Sequence, residues 1–167
     1  MVARTLAQST NIDWLDTDLL VEQFYERKNG AALRVRDIYR LDNGETFRTL
    51  EAQACRNAAE LAKPTVVATG GGLCDNAAAL GFLAGRLVVA LESDAETLFE
   101  RIMRRGMPPY LSSRTREEAE QEFRRLHARR SARYREIALF TVDVVGLSPD
   151  EIAMEVLSNL EFSHGRK

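Results

Sequence analysis

Little in this sequence points to a cross-linked or metal-built protein. It holds two cysteines, Cys55 and Cys74, neither in a CxxC nor a histidine-paired pattern. A disulfide framework or a zinc site is therefore not expected, and a reduced, cytoplasmic compartment is. The only histidines, His127 and His164, offer no constellation and are expected to face solvent. The N-terminal stretch Met1 to Trp14 breaks its apolar residues with Arg4, Gln8, Asn11 and Asp13, so it has no signal-peptide core. No apolar run approaches a membrane span, which predicts a soluble chain without a membrane partner. Internal repeats, low-complexity segments and domain linkers are also missing.

What remains is the composition of one folded unit. The 167 residues are 45% hydrophobic and 29% charged, enough to bury a core, so residues 1–167 read as a single domain. Twenty-three Lys and Arg against 25 Asp and Glu leave a formal charge of −2. That balance disfavours a whole-protein polyanion binder, but the charge is segregated. Between Arg101 and Arg135 stand 11 arginines and four glutamates, so this stretch is +7 and the rest of the chain is −9. The interleaved glutamates and the lack of an aromatic stacking series argue against a nucleic-acid surface.

Two short β-branched runs, Thr65 to Thr69 (TVVAT) and Arg86 to Leu91 (RLVVAL), lack period-two alternation. They predict strands of a parallel sheet buried on both faces. Ile12 to Asp16 and Phe140 to Val145 are weaker strand candidates. Between them Phe47, Leu50, Ala54, Ala58 and Leu61 recur at helical steps, predicting an amphipathic helix ending near Lys63 ahead of Pro64. Ser93 to Glu96 and Ser148 to Glu151 fit capping boxes, the second with Pro149 at the first helical position. Arg114 to Tyr134 reads as one long polar helix. Strands alternating with helices predict an α/β domain with helices on both faces of a parallel sheet.

Four features could carry chemistry. Gly70, Gly71 and Gly72 follow a predicted strand, where a ligand can approach the backbone closely at the start of a helix; an ordinary strand-to-helix turn would look the same. Asp16 and Asp18 end another strand, placing two carboxylates at the same sheet edge. One could order Mg²⁺ while the other accepts a hydroxyl proton, or the pair could simply cap the next helix. Arg48 sits beside Phe47 on the amphipathic helix, free to clamp a carboxylate or to face solvent. Arg101, Arg104 and Arg105 lead into Gly106 to Ser113, a loop punctuated by Pro and Gly that could close over phosphates.

In this order, the motifs resemble shikimate kinase over nearly the whole chain. The resemblance rests on Asp16-Thr17-Asp18, Gly44 to Arg48 followed by Glu51, Thr69 to Gly72 after its strand, the arginine-bearing helix into a proline lid, and Arg130 to Tyr134 followed by Glu136. It implies a P-loop NTPase fold of the nucleoside-monophosphate-kinase type, with a parallel sheet in order 2-3-1-4-5. It also implies ATP-dependent phosphorylation of the 3-hydroxyl of shikimate, in aromatic amino-acid biosynthesis, by a monomer with a lid over about residues 104–118. On that resemblance Asp18 holds the shikimate hydroxyls and takes the proton, and Asp16 helps to order Mg²⁺. Arg48 and Arg130 clamp the shikimate carboxylate, and Gly70, Gly71 and Gly72 line the substrate. Arg101 and Pro149 match the residues that sandwich adenine.

Two departures accompany the resemblance. No Gly-Lys pair occurs in the 167 residues, so the phosphate-binding GxxxxGK[ST] loop is missing, and Met1 to Ala7 resembles the helix that directly follows it. The first, central strand is expected to be absent with it, leaving unpaired strand edges and a poorly stable chain. An apolar strand and a GxxxxGK[ST] run in the same reading frame upstream of Met1 would explain this. The alternative is a non-catalytic shikimate-binding relative that has lost nucleotide binding. In the lid, Pro108, Pro109, Tyr110 and Leu111 stand where the family commonly has Arg-Pro-Leu-Leu, leaving Arg104 or Arg105 to replace the lid arginine.

Overall fold

In the computed structural model, residues 1–164 are described, with side chains through residue 161. Helix α1 (Val2–Thr10) leads into strand β1 (Asp13–Asp16), then α2 (Thr17–Asn29), α3 (Val35–Leu41) and α4 (Glu45–Ala59). Strand β2 (Thr65–Ala68) follows, then a 3₁₀ turn over Leu73–Asp75, the short α5 (Ala77–Leu80) and a second 3₁₀ turn over Gly81–Leu83. After β3 (Val89–Glu92) come α6 (Ala95–Met103), a third 3₁₀ turn over Pro109–Leu111, the long α7 (Arg116–Ile137), β4 (Phe140–Asp143) and α8 (Pro149–His164).

The four strands form two parallel pairs, β1 with β2 and β3 with β4, and no hydrogen bonds join β2 to β3. The register runs from Asp13 opposite Thr65 to Asp16 opposite Ala68 in the first pair, and from Val89 opposite Phe140 to Glu92 opposite Asp143 in the second. These pairs are the 2-3 and 4-5 neighbours of the implied order, and among the described residues no strand is hydrogen-bonded to both. The expectation that both apolar runs are buried on two faces is corrected accordingly. Every residue of β2 is only half-buried, and Leu91 in β3 is 46% exposed, because each strand has a neighbour on one side only.

Local signals explain most boundaries. Ser148 and Glu151 form the expected reciprocal cap at the start of α8: the Ser148 N–H donates to Glu151 Oε2 at 2.7 Å and the Glu151 N–H to Ser148 Oγ at 3.3 Å. At α6 the expected box at Ser93 is corrected by one residue, since Asp94 caps the helix by accepting from the Thr97 N–H at 2.7 Å. The carbonyl of Ser93 instead accepts from His127 Nε2 at 3.0 Å, and the His127 ring stacks on Phe123. His127 is thus half-buried and partnered rather than solvent-facing; the His164 side chain lies outside the described residues. Helix α4 stops at Ala59, short of Lys63, and Leu61 falls outside it and is exposed.

Separate small cores fix the parts that matter for a site. Val21, Ile38, Leu50 and Ala54 lock α2, α3 and α4 together beside β1. Phe99, Leu111, Ala119 and Phe123 pack the loop after α6 against α7. Val142, Ile152 and Val156 hold α8 under β3 and β4, with Val2 and Leu6 of α1 reaching across to them.

Candidate substrate site

The carboxyl ends of β1 and β2 are neighbours in the first strand pair, so the aspartates after β1 and the glycines after β2 emerge side by side. Asp16 caps α2, its Oδ1 accepting from the Asp18 N–H at 2.9 Å. The capping reading of that residue is therefore correct for one of its oxygens. Asp18 points the other way, toward the glycines: a side-chain carbon on Gly70 would lie 3.2 Å from Asp18 Oδ1. Burial raises the Asp18 carboxyl to about 6, and the charges of Asp16, Glu51 and Glu22 push in the same direction.

Gly70 and Gly72 provide room beside charged side chains and are not required by unusual backbone angles. None of Gly70, Gly71 or Gly72 has a positive φ, and Gly72 sits at φ −100°. A side-chain carbon on Gly72 would stand 3.1 Å from Arg130 Nη2 and 3.4 Å from Arg48 Nη2, whereas one on Gly71 would meet nothing within 4 Å. Two guanidinium groups, from α4 and α7, therefore converge on one glycine. The segment after Gly72 is a 3₁₀ turn and not the start of a long helix, which corrects the expected helix terminus and leaves the arginines as the local source of positive charge.

Each guanidinium is tied down by a carboxylate. Arg48 Nη1 donates to Glu51 Oε2 at 2.8 Å and to the Gly72 carbonyl at 3.1 Å. Glu51 is 1% exposed, and its Oε2 also accepts from Asn76 Nδ2 at 2.9 Å, while its buried Oε1 has no partner. Asn76 Nδ2 donates again to the Arg48 carbonyl at 2.8 Å, and Asn76 Oδ1 caps α5. Arg130 bonds Asp75 Oδ2 through Nε at 2.8 Å and through Nη2 at 2.7 Å. Burial works against the Asp75 carboxylate, but Arg130 and Arg129 outweigh it and hold its pKa below the usual carboxylate range.

A third tie joins α7 to the glycine loop. Tyr134 Oη accepts from the Cys74 N–H at 3.3 Å and donates to the Gly70 carbonyl at 3.4 Å, and Arg133 Nη1 donates to the Cys74 carbonyl at 2.8 Å. Burial, followed by the neighbouring Cys74, pushes the Tyr134 phenol upward, so it stays a neutral hydrogen-bonding post. Burial likewise raises Cys74, and raises Cys55 to about 11, which leaves both thiols unreactive at neutral pH.

Among the residues expected from sequence, Asp18, Arg48, Arg130 and Gly70 to Gly72 come together. Arg101 is exposed in the last turn of α6 and Pro149 opens α8, both apart from that cluster. Arg101, Arg104 and Arg105 make no ion pair or side-chain hydrogen bond among the described residues, whereas Arg114, Arg116, Arg124, Arg125, Arg129, Arg130, Arg133 and Arg135 are all engaged. The loop after α6 is pinned where Arg36 Nη1 donates to the Arg105 carbonyl at 2.8 Å, and Leu111 is fully buried. Tyr110 from this loop places its ring 5.9 Å from the Arg130 guanidinium.

Sequence reading missed the posts behind the clamp: Asp75, Asn76, Arg133 and the role of Tyr134. Asn76 had a usable signal, an N-cap residue before three alanines. Asp75 and Tyr134 act across 55 and 60 residues of chain and left none.

A family model for shikimate kinase matches residues 1–161. A curated shikimate kinase from Mycobacterium tuberculosis (strain ATCC 25177 / H37Ra) is 31% identical over 160 residues, covering 96% of this chain and 85% of the relative. A solved shikimate kinase from Acinetobacter baumannii, in complex with shikimate, is similar with a TM-score of 0.81 and 30% identity, covering 99% of this chain and 87% of that one. The shikimate kinase from Aquifex aeolicus is similar at a TM-score of 0.75 and 27% identity, covering 98% and 89%.

Proposed function

The chain belongs to the shikimate kinase family, and from that premise we propose that it binds shikimate over Gly70 to Gly72 for phosphorylation of the 3-hydroxyl. The observation that carries this reading is the convergence of Arg48 Nη2 and Arg130 Nη2 on Gly72, with Asp18 Oδ1 at Gly70 on the same loop. A substrate with a carboxylate at one end and hydroxyls at the other matches that spacing of charge. The two guanidiniums bind the carboxylate by charge-assisted hydrogen bonds. Asp18 accepts from the reacting hydroxyl and takes its proton; a base titrating near 6 is ionised at neutral pH yet close enough to it to be effective. The buried, unpartnered Oε1 of Glu51 lies near Gly70 as a further acceptor for a substrate hydroxyl.

ATP with Mg²⁺ is the phosphoryl donor of the family. The residues present do not make a phosphate cradle: no Gly-Lys pair occurs, and no group of three or more potential metal-binding side chains gathers among the described residues. Within this chain, Asp16 is the residue we assign to ordering Mg²⁺, and Arg101 and Pro149 those assigned to the adenine. No described helix is long and apolar enough to cross a membrane. A cytoplasmic monomer is our reading from the resemblance to the family.

Calorimetric titration with shikimate and with ATP separately, followed by phosphorus NMR of a mixture of both with Mg²⁺, tests the reading. Shikimate is expected to bind without ATP. Formation of a shikimate phosphate supports the kinase, binding without product supports the non-catalytic alternative, and no binding of shikimate refutes both.

A further inference from the structure

Arg130 reaches the site from α7, and the hydrogen-bond partner that fixes its guanidinium is Asp75, on the 3₁₀ turn that follows the glycines. Both bonds use the Nε and Nη2 edge and end on one oxygen, Oδ2, and the same Nη2 is the atom that a side-chain carbon on Gly72 would meet first, at 3.1 Å. Asp75 therefore fixes the nitrogen that faces Gly72 and leaves Nη1 unbonded to it. Its other oxygen, Oδ1, accepts from Arg129 Nη2 at 2.8 Å. The Arg129–Asp75–Arg130 trio thus keeps a net charge of +1, and the carboxylate that orders Arg130 does not cancel the attraction for an anion. Arg48 is served in the same way by Glu51, through one oxygen of a buried carboxylate. Besides Asp75, Arg130 has the neutral Tyr110 beside it, its ring 5.9 Å from the guanidinium, which offers no charge-assisted bond.

We propose that Asp75 is a positioning residue for carboxylate recognition, holding Arg130 over Gly72 as Glu51 holds Arg48. The inference rests on the shikimate-binding reading above. Its physical content is preorganisation: a long, four-torsion side chain held in one geometry before the ligand arrives loses less freedom on binding. The consequence is specific to the ligand's carboxylate. Hydroxyl contacts at Asp18 lie on the other side of the glycine loop and do not involve Asp75.

The test compares wild type, Asp75→Asn and Asp75→Ala by calorimetry with shikimate and with its methyl ester, which lacks the negative charge. Asp75→Asn keeps the shape and an acceptor oxygen, so it guards against a fold defect in the alanine variant. We expect Asp75→Ala to weaken shikimate binding about tenfold or more and Asp75→Asn by less, with ester binding unchanged in both. In parallel, the Nε–H resonance of Arg130 is expected to exchange slowly with solvent in wild type and rapidly in Asp75→Ala, with no ligand present. Unchanged or tighter shikimate binding by both variants would overturn the proposal, as would an equal loss for the ester. If wild type bound no shikimate, the functional reading itself would fall, and a rapidly exchanging Arg130 Nε–H in wild type would overturn the positioning role separately.

Discussion

The two strand pairs of this molecule are finished to different degrees. Around β1 and β2 the polar groups are wired twice over: Arg48 to Glu51, Glu51 to Asn76, Arg130 to Asp75, and Tyr134 to both ends of the glycine loop. Around β3 and β4 no such network forms, and Arg101, Arg104 and Arg105 have no partner among the described residues; exposed apolar side chains flank both pairs, Trp14 and Leu61 by the first and Leu91 and Leu139 by the second. The difference teaches that a binding clamp on one strand pair can be preorganised by side chains delivered from a helix that packs in the other half of the fold. α7 makes this arrangement work, since its middle packs on α6 while Arg129, Arg130, Arg133 and Tyr134 cross to the other half.

The seam between β2 and β3 offers the largest way to break the comparison. With no strand joining the pairs, we expect this chain to unfold in a broad, low-temperature transition by scanning calorimetry. A steep two-state transition within the ~45–65 °C range of ordinary domains would contradict the seam as a weakness. Next come the clamp arginines. Arg130→Ala and Arg48→Ala should each lower shikimate affinity by about 2–3 kcal/mol, while Arg101→Ala should leave it unchanged. Loss on Arg101→Ala would mean that the halves are not independent.

Asp18 sharpens the same contrast through pH. Its carboxyl is raised from 3.8 to about 6 on folding, so the folded state binds the proton more tightly than the unfolded chain. Stability is therefore free of this cost below pH 3.8 and falls as pH rises toward 6, by up to about 3 kcal/mol. Asp18→Asn should raise stability at pH 7.5 and not at pH 3.5, by denaturant titration. A gain that persists at pH 3.5 would come from packing instead of charge. The smallest effects pair one residue from each half. Tyr134→Phe and Ser148→Ala should each cost about 1 kcal/mol of stability, but only the first should also weaken shikimate binding, severalfold.

Sequence patterns located the four strands, the two long helices that carry the arginines, and the glycines with their aspartates, because those are local signals. Boundaries failed where tertiary bonds compete. Ser93 looks like a cap, yet its carbonyl is engaged by His127 and the next residue takes the capping role. Leu61 continues a helical rhythm beyond the end of its helix. The double burial expected of TVVAT and RLVVAL needs neighbours on both sides, which the runs themselves cannot reveal. The clamp arginines were legible through motifs; the carboxylate behind Arg130 was not, since an aspartate after a turn has no pattern that names a partner 55 residues away.

Gly72 has one more consequence. Its backbone angles suit any amino acid, so nothing in the chain's geometry forbids a side chain there. What a side chain would disturb is the site: its first carbon would arrive 3.1 Å from one guanidinium nitrogen, a tight approach, and 3.4 Å from another, on the spot where a ligand's anionic oxygens belong. A serine or aspartate at this position would act as a tethered competitor, permanently present at a concentration no free metabolite could match. A single codon change could thus turn an open receptor into a self-satisfied structural ion pair, silencing recognition while leaving the fold intact.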